Sequence, residues 1–134
     1  MIAYERFEAW RLAHQLALDV FSATDPWPRS ELFGLTSQTR RAALSVPTNL
    51  AEGAAKRGRR EFARFLDISL GSLAELSYLL RFSRDRSLLS EPQWMALEST
   101  RDQTGKLVYG LYRRMRAPAH DARSSKSLTP PEVP

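Results

Sequence analysis

Residues 40–65 read RRAALSVPTNLAEGAAKRGRREFARF, and the fold turns on how this stretch divides. Ala43, Pro47, Leu50 and Ala54 recur at the three- and four-residue spacing of one helix face. Gly58 is a natural stop, because glycine reaches the backbone conformations that end a helix. Phe62 and Phe65 then open a second repeat. A break this short folds two helical segments back on each other as antiparallel neighbours.

Upstream, the same stripe runs back through Arg40, Thr36 and Phe33 to Ser30, a suitable N-cap with Glu31 in the first turn. Begun there, the second helix holds about 26 residues and spans roughly 40 Å. Downstream, Phe62, Phe65, Leu66, Ser69, Leu73, Leu76, Leu79 and Leu80 form the third stripe, which frays near Asp85-Arg86-Ser87. A first stripe combines Phe7, Trp10, Ala13, Ala17, Val20 and Phe21, and Asp25-Pro26-Trp27-Pro28 ends it because proline cannot continue a helix. The fourth opens on Ser90-Glu91-Pro92-Gln93, a capping box with proline in the first turn. Trp94, Leu97, Thr104, Leu107, Val108, Leu111 and Met115 supply its face. No strand-like alternation occurs. The expected fold is all-α: an antiparallel up-down-up-down four-helix bundle over residues 1–117. Residues 118–134, rich in Pro, Ser and basic side chains and free of aromatics, read as a disordered tail.

The chain has no cysteine, which removes disulfides and thiolate chemistry and fits a reducing cytoplasm. Glu5, Arg6, Glu8, Arg11 and Asp19 interrupt the opening segment, so neither a signal-peptide core nor a membrane span is expected there. No phosphate loop or nucleophile motif occurs, and the Glu-x-x-His pairs of metal-binding bundles are missing. His14 reads as a partly buried helix residue and His120 falls in the tail. No catalytic residue, metal ligand or cofactor is therefore expected, and an enzyme ranks third among the readings.

Pro47 removes one backbone hydrogen bond, at the carbonyl of Ala43, and costs about 3 kcal/mol unless the helix bends to adapt. Ser45 and Thr48 are placed to ease the bend through hydroxyl bonds to the backbone. Asn49 and Glu52 flank it. Arg40 falls on the inward stripe and needs a partner, for which Glu75 of the third helix is a candidate. Arg40, Arg41, Pro47, Asn49, Glu52 and Glu75 are thus expected to form a structural polar cluster.

These residues also carry a resemblance. The run resembles the pattern of the bacterial 23S rRNA-intervening-sequence protein family, in which Gly-Leu-x-x-Gln-x-Arg-Arg-Ala leads to Ser-x-Pro-x-Asn-x-Ala-Glu-Gly. A basic stretch, Glu-Phe-x-x-Phe-Leu and Gly-Ser-x-x-Glu-Leu follow. Here Gly34, Leu35, Gln38, Arg40, Arg41 and Ala42 match, then Ser45, Pro47, Asn49, Ala51, Glu52 and Gly53. Glu61, Phe62, Phe65, Leu66, Gly71, Ser72, Glu75 and Leu76 continue it, and Phe7-x-x-Trp10 fits the opening. The match covers roughly residues 5–116. The resemblance implies a four-helix bundle. The family is similar to the accessory protein of diversity-generating retroelements, a homopentameric barrel that binds nucleic acid and a reverse transcriptase. It therefore implies a homopentamer with RNA or DNA, and a reverse transcriptase, as partners.

Net charge is +5, and its distribution is uneven. Residues 56–64 hold five Lys/Arg against one Glu, and residues 113–134 hold five against two acids. At ~100° per residue, Arg60 and Arg64 lie opposite the buried face of the third helix, while Lys56, Arg57 and Arg59 crowd the turn before it. These five side chains are the expected nucleic-acid contacts, made to the phosphate backbone. No aromatic reads as exposed beside them, so base recognition is not expected. Leu70, Gly71, Ala74, Tyr78 and Phe82 follow on the same outer face. Small residues admit a neighbouring helix and aromatics favour interfaces, so this strip is the expected subunit contact. The leading expectation is a non-catalytic accessory factor; the alternative is a protein–protein adaptor whose basic end meets an acidic partner.

Overall fold

Phe62, Leu66, Ser69, Leu73, Leu76 and Leu80 turn inward from one long helix, α3 (Arg59–Asp85), and the rest of the fold is arranged around them. The computed structural model describes residues 2–118. A short 3-10 turn, Ala3–Arg6, leads into α1 (Glu8–Thr24), followed by α2 (Ser37–Ala54), α3 and α4 (Glu91–Arg116). Each helix packs against two others, in the cyclic order α1, α2, α3, α4. With short connections this is the expected up-down-up-down bundle, and no strand occurs among the described residues. Leu16, Val20, Val46, Leu50, Val108 and Leu111 complete the shared core. Among the described residues no helix is long and apolar enough to cross a membrane. The tail expected over residues 118–134, with His120, lies outside the described residues from residue 119 onward.

Three local readings change. First, α2 is not one rod from Ser30. A 3-10 turn, Arg29–Glu31, and a wide π turn, Leu32–Thr36, precede it, and Ser30 lies inside the first of these rather than at a cap. Gly34 leaves the helical region at φ −115°, ψ −106°. A π turn holds an extra residue, so residues before it rotate out of register with the stripe that follows. Phe33, expected inside, is 95% exposed. Second, α1 buries Leu16 and Thr24 where the sequence suggested Phe21, whose ring is at the surface. Third, His14 is exposed, stacked on Trp10 at 4.9 Å between ring centroids.

α2 runs through buried Pro47 without a break. The three carbonyls that follow Ala43 each receive a side-chain donor. Thr48 Oγ1 donates to the Leu44 oxygen at 2.7 Å, Asn49 Nδ2 to the Ser45 oxygen at 2.9 Å, and Ser69 Oγ of α3 to the Val46 oxygen at 2.9 Å. The Ser45 hydroxyl turns instead to Ser72 Oγ, 2.7 Å away on α3. Proline-loosened backbone is thus stitched partly to its own helix and partly to its neighbour.

Further along α2, Gly53 packs tightly against α3. A Cβ on buried Gly53 would stand 2.8 Å from Phe65 Cβ and 2.9 Å from Phe62 Cδ1. Gly53→Ala is therefore expected to cost about 1–3 kcal/mol as overpacking, read as a lower urea midpoint. An unchanged midpoint would mean that the two helices separate freely. Gly58, at φ +91°, makes the turn into α3 in a conformation that L side chains rarely adopt. At the start of α4 the capping box is formed in both directions, Gln93 N to Ser90 Oγ at 3.2 Å and Ser90 N to Gln93 Oε1 at 2.9 Å.

Candidate nucleic-acid interface

Antiparallel packing brings the start of α3 beside the end of α4. Arg59 and Arg60 occupy the first turn of α3, and Arg113, Arg114 and Arg116 the last turn of α4. The two groups meet directly, since the Arg59 guanidinium donates to the carbonyl of Arg114. At the end of α4 positive charge suits the helix dipole; at the start of α3 it opposes it, by about 0.3–1 kcal/mol per charge. The α3 arginines therefore do not stabilise their own helix.

The five expected contacts are all exposed. Arg64 pairs with Glu61 at 3.3 Å in a half-exposed i,i+3 contact, worth about 0–1 kcal/mol. Arg64 and Lys56 also flank the ring of Phe65, at 4.6 and 5.4 Å from its centroid. Lys56, Arg57, Arg59 and Arg60 have no carboxylate partner among the described residues. A groove of about 950 Å³ opens between the two helices, lined by Arg59, Arg60 and Arg64 from one side and Tyr112, Met115 and Arg116 from the other. Glu61 and Asp67 also reach it.

The α4 side of this groove was missed. The excess charge past residue 113 was visible, but only the antiparallel packing carries it to the α3 cluster. Beside the arginines stands one aromatic ring, Tyr112, half-buried against the core rather than exposed.

The expected polar cluster falls into separate places. Arg40 Nε donates to Thr24 Oγ1 at 2.7 Å, and Nη2 meets Asp25 Oδ1 at 2.9 Å and the Phe21 carbonyl at 3.3 Å. Its partner is thus Asp25, not Glu75. Arg40 lies on the α1 side of α2, where the end of α1 offers free carbonyls and a negative dipole. Glu75 faces a different groove, of about 510 Å³, with Gln38 and Arg41. Asn49 Nδ2 donates to Ser45 Oγ at 2.9 Å, Pro47 is buried and Glu52 is exposed.

On the outer face of α3, Gly71, Ala74, Tyr78 and Phe82 are exposed, with the Tyr78 and Phe82 rings 6.2 Å apart. Nothing stands within 4 Å of a Cβ built on Gly71. Leu70 instead leans against the core.

No curated protein matches the chain significantly. A crystal structure of a protein of unknown function from the S23 ribosomal protein family of Bacteroides thetaiotaomicron has the same fold, with a TM-score of 0.72 at 17% identity. The superposition covers 78% of this chain and 95% of that one. The model of the 23S rRNA-intervening sequence protein family matches residues 5–110, which includes the Pro47 region and stops short of Tyr112. With most of the bundle inside that match, the chain belongs to the 23S rRNA-intervening sequence protein family.

Proposed function

We propose that this chain is a non-catalytic, cytoplasmic accessory factor that assembles as a homopentamer and holds RNA or DNA by its backbone through the basic end of the bundle. The observation that carries the reading is the convergence of arginines from α3 and α4 on one end, where Arg59 and Arg60 work against the dipole of α3. Charge that opposes helix stability and meets few carboxylates is suited to an anion from outside. Backbone contacts need several cations along a strand and no sequence readout, which fits a rim of flexible, exposed arginines. The pentamer and a reverse transcriptase partner rest on the resemblance to retroelement accessory proteins. The exposed Gly71–Tyr78–Phe82 strip supports self-association.

Filter binding with mixed RNA and DNA at two salt concentrations tests the reading. Four phosphate contacts predict roughly a hundredfold loss of affinity between about 50 and 200 mM salt. Salt-independent affinity, or no retention of either nucleic acid, would refute it, and retention of an acidic protein alone would favour an adaptor.

A further inference from the structure

We infer that the α3–α4 groove receives an unpaired base against the ring of Tyr112, so that the ligand is a single strand rather than a duplex. This rests on the nucleic-acid reading above and adds to it a base-stacking site that backbone contact alone does not require. Tyr112 is partly buried on α4, packs against the core on one side and lines the groove opposite Arg60 and Arg64 on the other. Arg116 Nη1 donates to the Tyr112 hydroxyl at 3.1 Å, and its guanidinium lies 5.7 Å from the ring centroid. That bond holds the ring in place, with the guanidinium over part of its face as the group a stacked base would displace. Tyr109, 52% exposed, continues the aromatic surface one turn back, its ring 6.3 Å from that of Tyr112 at 29° between planes.

The chemistry selects the ligand class. A base within a duplex has both faces covered by its neighbours and cannot offer one to a side chain. A nucleotide in a single strand can, and its phosphates then fall among arginines on both walls. Base–aromatic stacking accepts any base, so the site reads strandedness and not sequence. Glu61 and Asp67 on the same groove disfavour phosphate at their own positions and leave the arginine-lined walls as the strand's path.

The test uses the full chain and labelled 15-mers of mixed sequence as single-stranded RNA, single-stranded DNA and duplex DNA, followed by fluorescence anisotropy. The single strands are expected to bind about tenfold tighter than the duplex, the range for one base on one ring. Tyr112→Leu is expected to remove most of that preference, and Tyr112→Phe, which keeps the ring, to remove much less. A single strand carrying 5-iodouracil is expected to crosslink under ultraviolet light to the peptide that contains Tyr112, a readout that needs no variant to fold. Equal affinity for strand and duplex, equal losses in both variants, or a crosslink confined to another helix would overturn the inference while leaving salt-dependent backbone binding in place. Wild-type protein that binds none of the three probes would overturn both readings. The ratio of the RNA to the DNA arm identifies which strand the groove takes.

Discussion

A chain carrying Arg57→Glu, Arg60→Glu and Arg64→Glu is expected to lose polynucleotide binding altogether, a drop of at least a hundredfold at low salt. Each replacement removes a cation and installs an anion where phosphate would sit. A strand that gained from counterion release now meets repulsion. Loss of fold does not explain such a result. All three side chains are exposed, and at Arg60, the one of the three in the first turn of α3, glutamate suits the helix dipole better than arginine does. The one ion pair given up is the surface contact of Arg64 with Glu61. Lys106→Glu is the matched control. It lowers net charge from an exposed site on α4 where Lys106 pairs only with Asp102, at 3.2 Å, away from the groove. If the triple reversal retains full affinity, or if Lys106→Glu is as damaging per charge as the triple reversal, the rim is not the binding surface.

Light scattering of the wild-type chain is expected to give about five times the 15.3 kDa of one chain, and a Tyr78→Glu, Phe82→Ser double variant to give one chain. Tyr78 is 64% exposed and Phe82 is also at the surface, on the solvent side of a helix whose other face fills the core. Beside them Gly71 leaves open space into which another helix can settle. A carboxylate buried in such a contact without a partner costs several kcal/mol. Both side chains point away from the core, so the single-chain variant should keep wild-type helix content and one cooperative urea transition, at a midpoint lowered by loss of the subunit contact. A wild-type mass near that of one chain would rule the ring out, and a pentameric double variant would move the contact elsewhere.

The α3 stripe was legible in the sequence because eight inward positions from Phe62 to Leu80 keep helical spacing, with no glycine or proline among them; buried Ala63 and Ser83 were not part of it. The same logic failed at Phe33, where one extra residue in a π turn shifted the register. Hydrophobic spacing records the average twist of a segment, not a local insertion. Arg40 shows a related limit. Its place on an inward face was correct and its partner was not, because either Asp25 or Glu75 satisfied the charge and only the fold put Asp25 within reach.

Amphipathic spacing, the Gly58 stop and the Ser90–Gln93 cap determined four helices and their antiparallel order, since each is a property of neighbours along the chain. Tertiary structure alone decided that Arg59, Arg60 and Arg64 share one groove with Tyr112 and Arg116, and that Arg41 and Glu75 face another. Such sites depend on which helices touch and at what height along the bundle, distances set by packing between residues some fifty positions apart in the sequence.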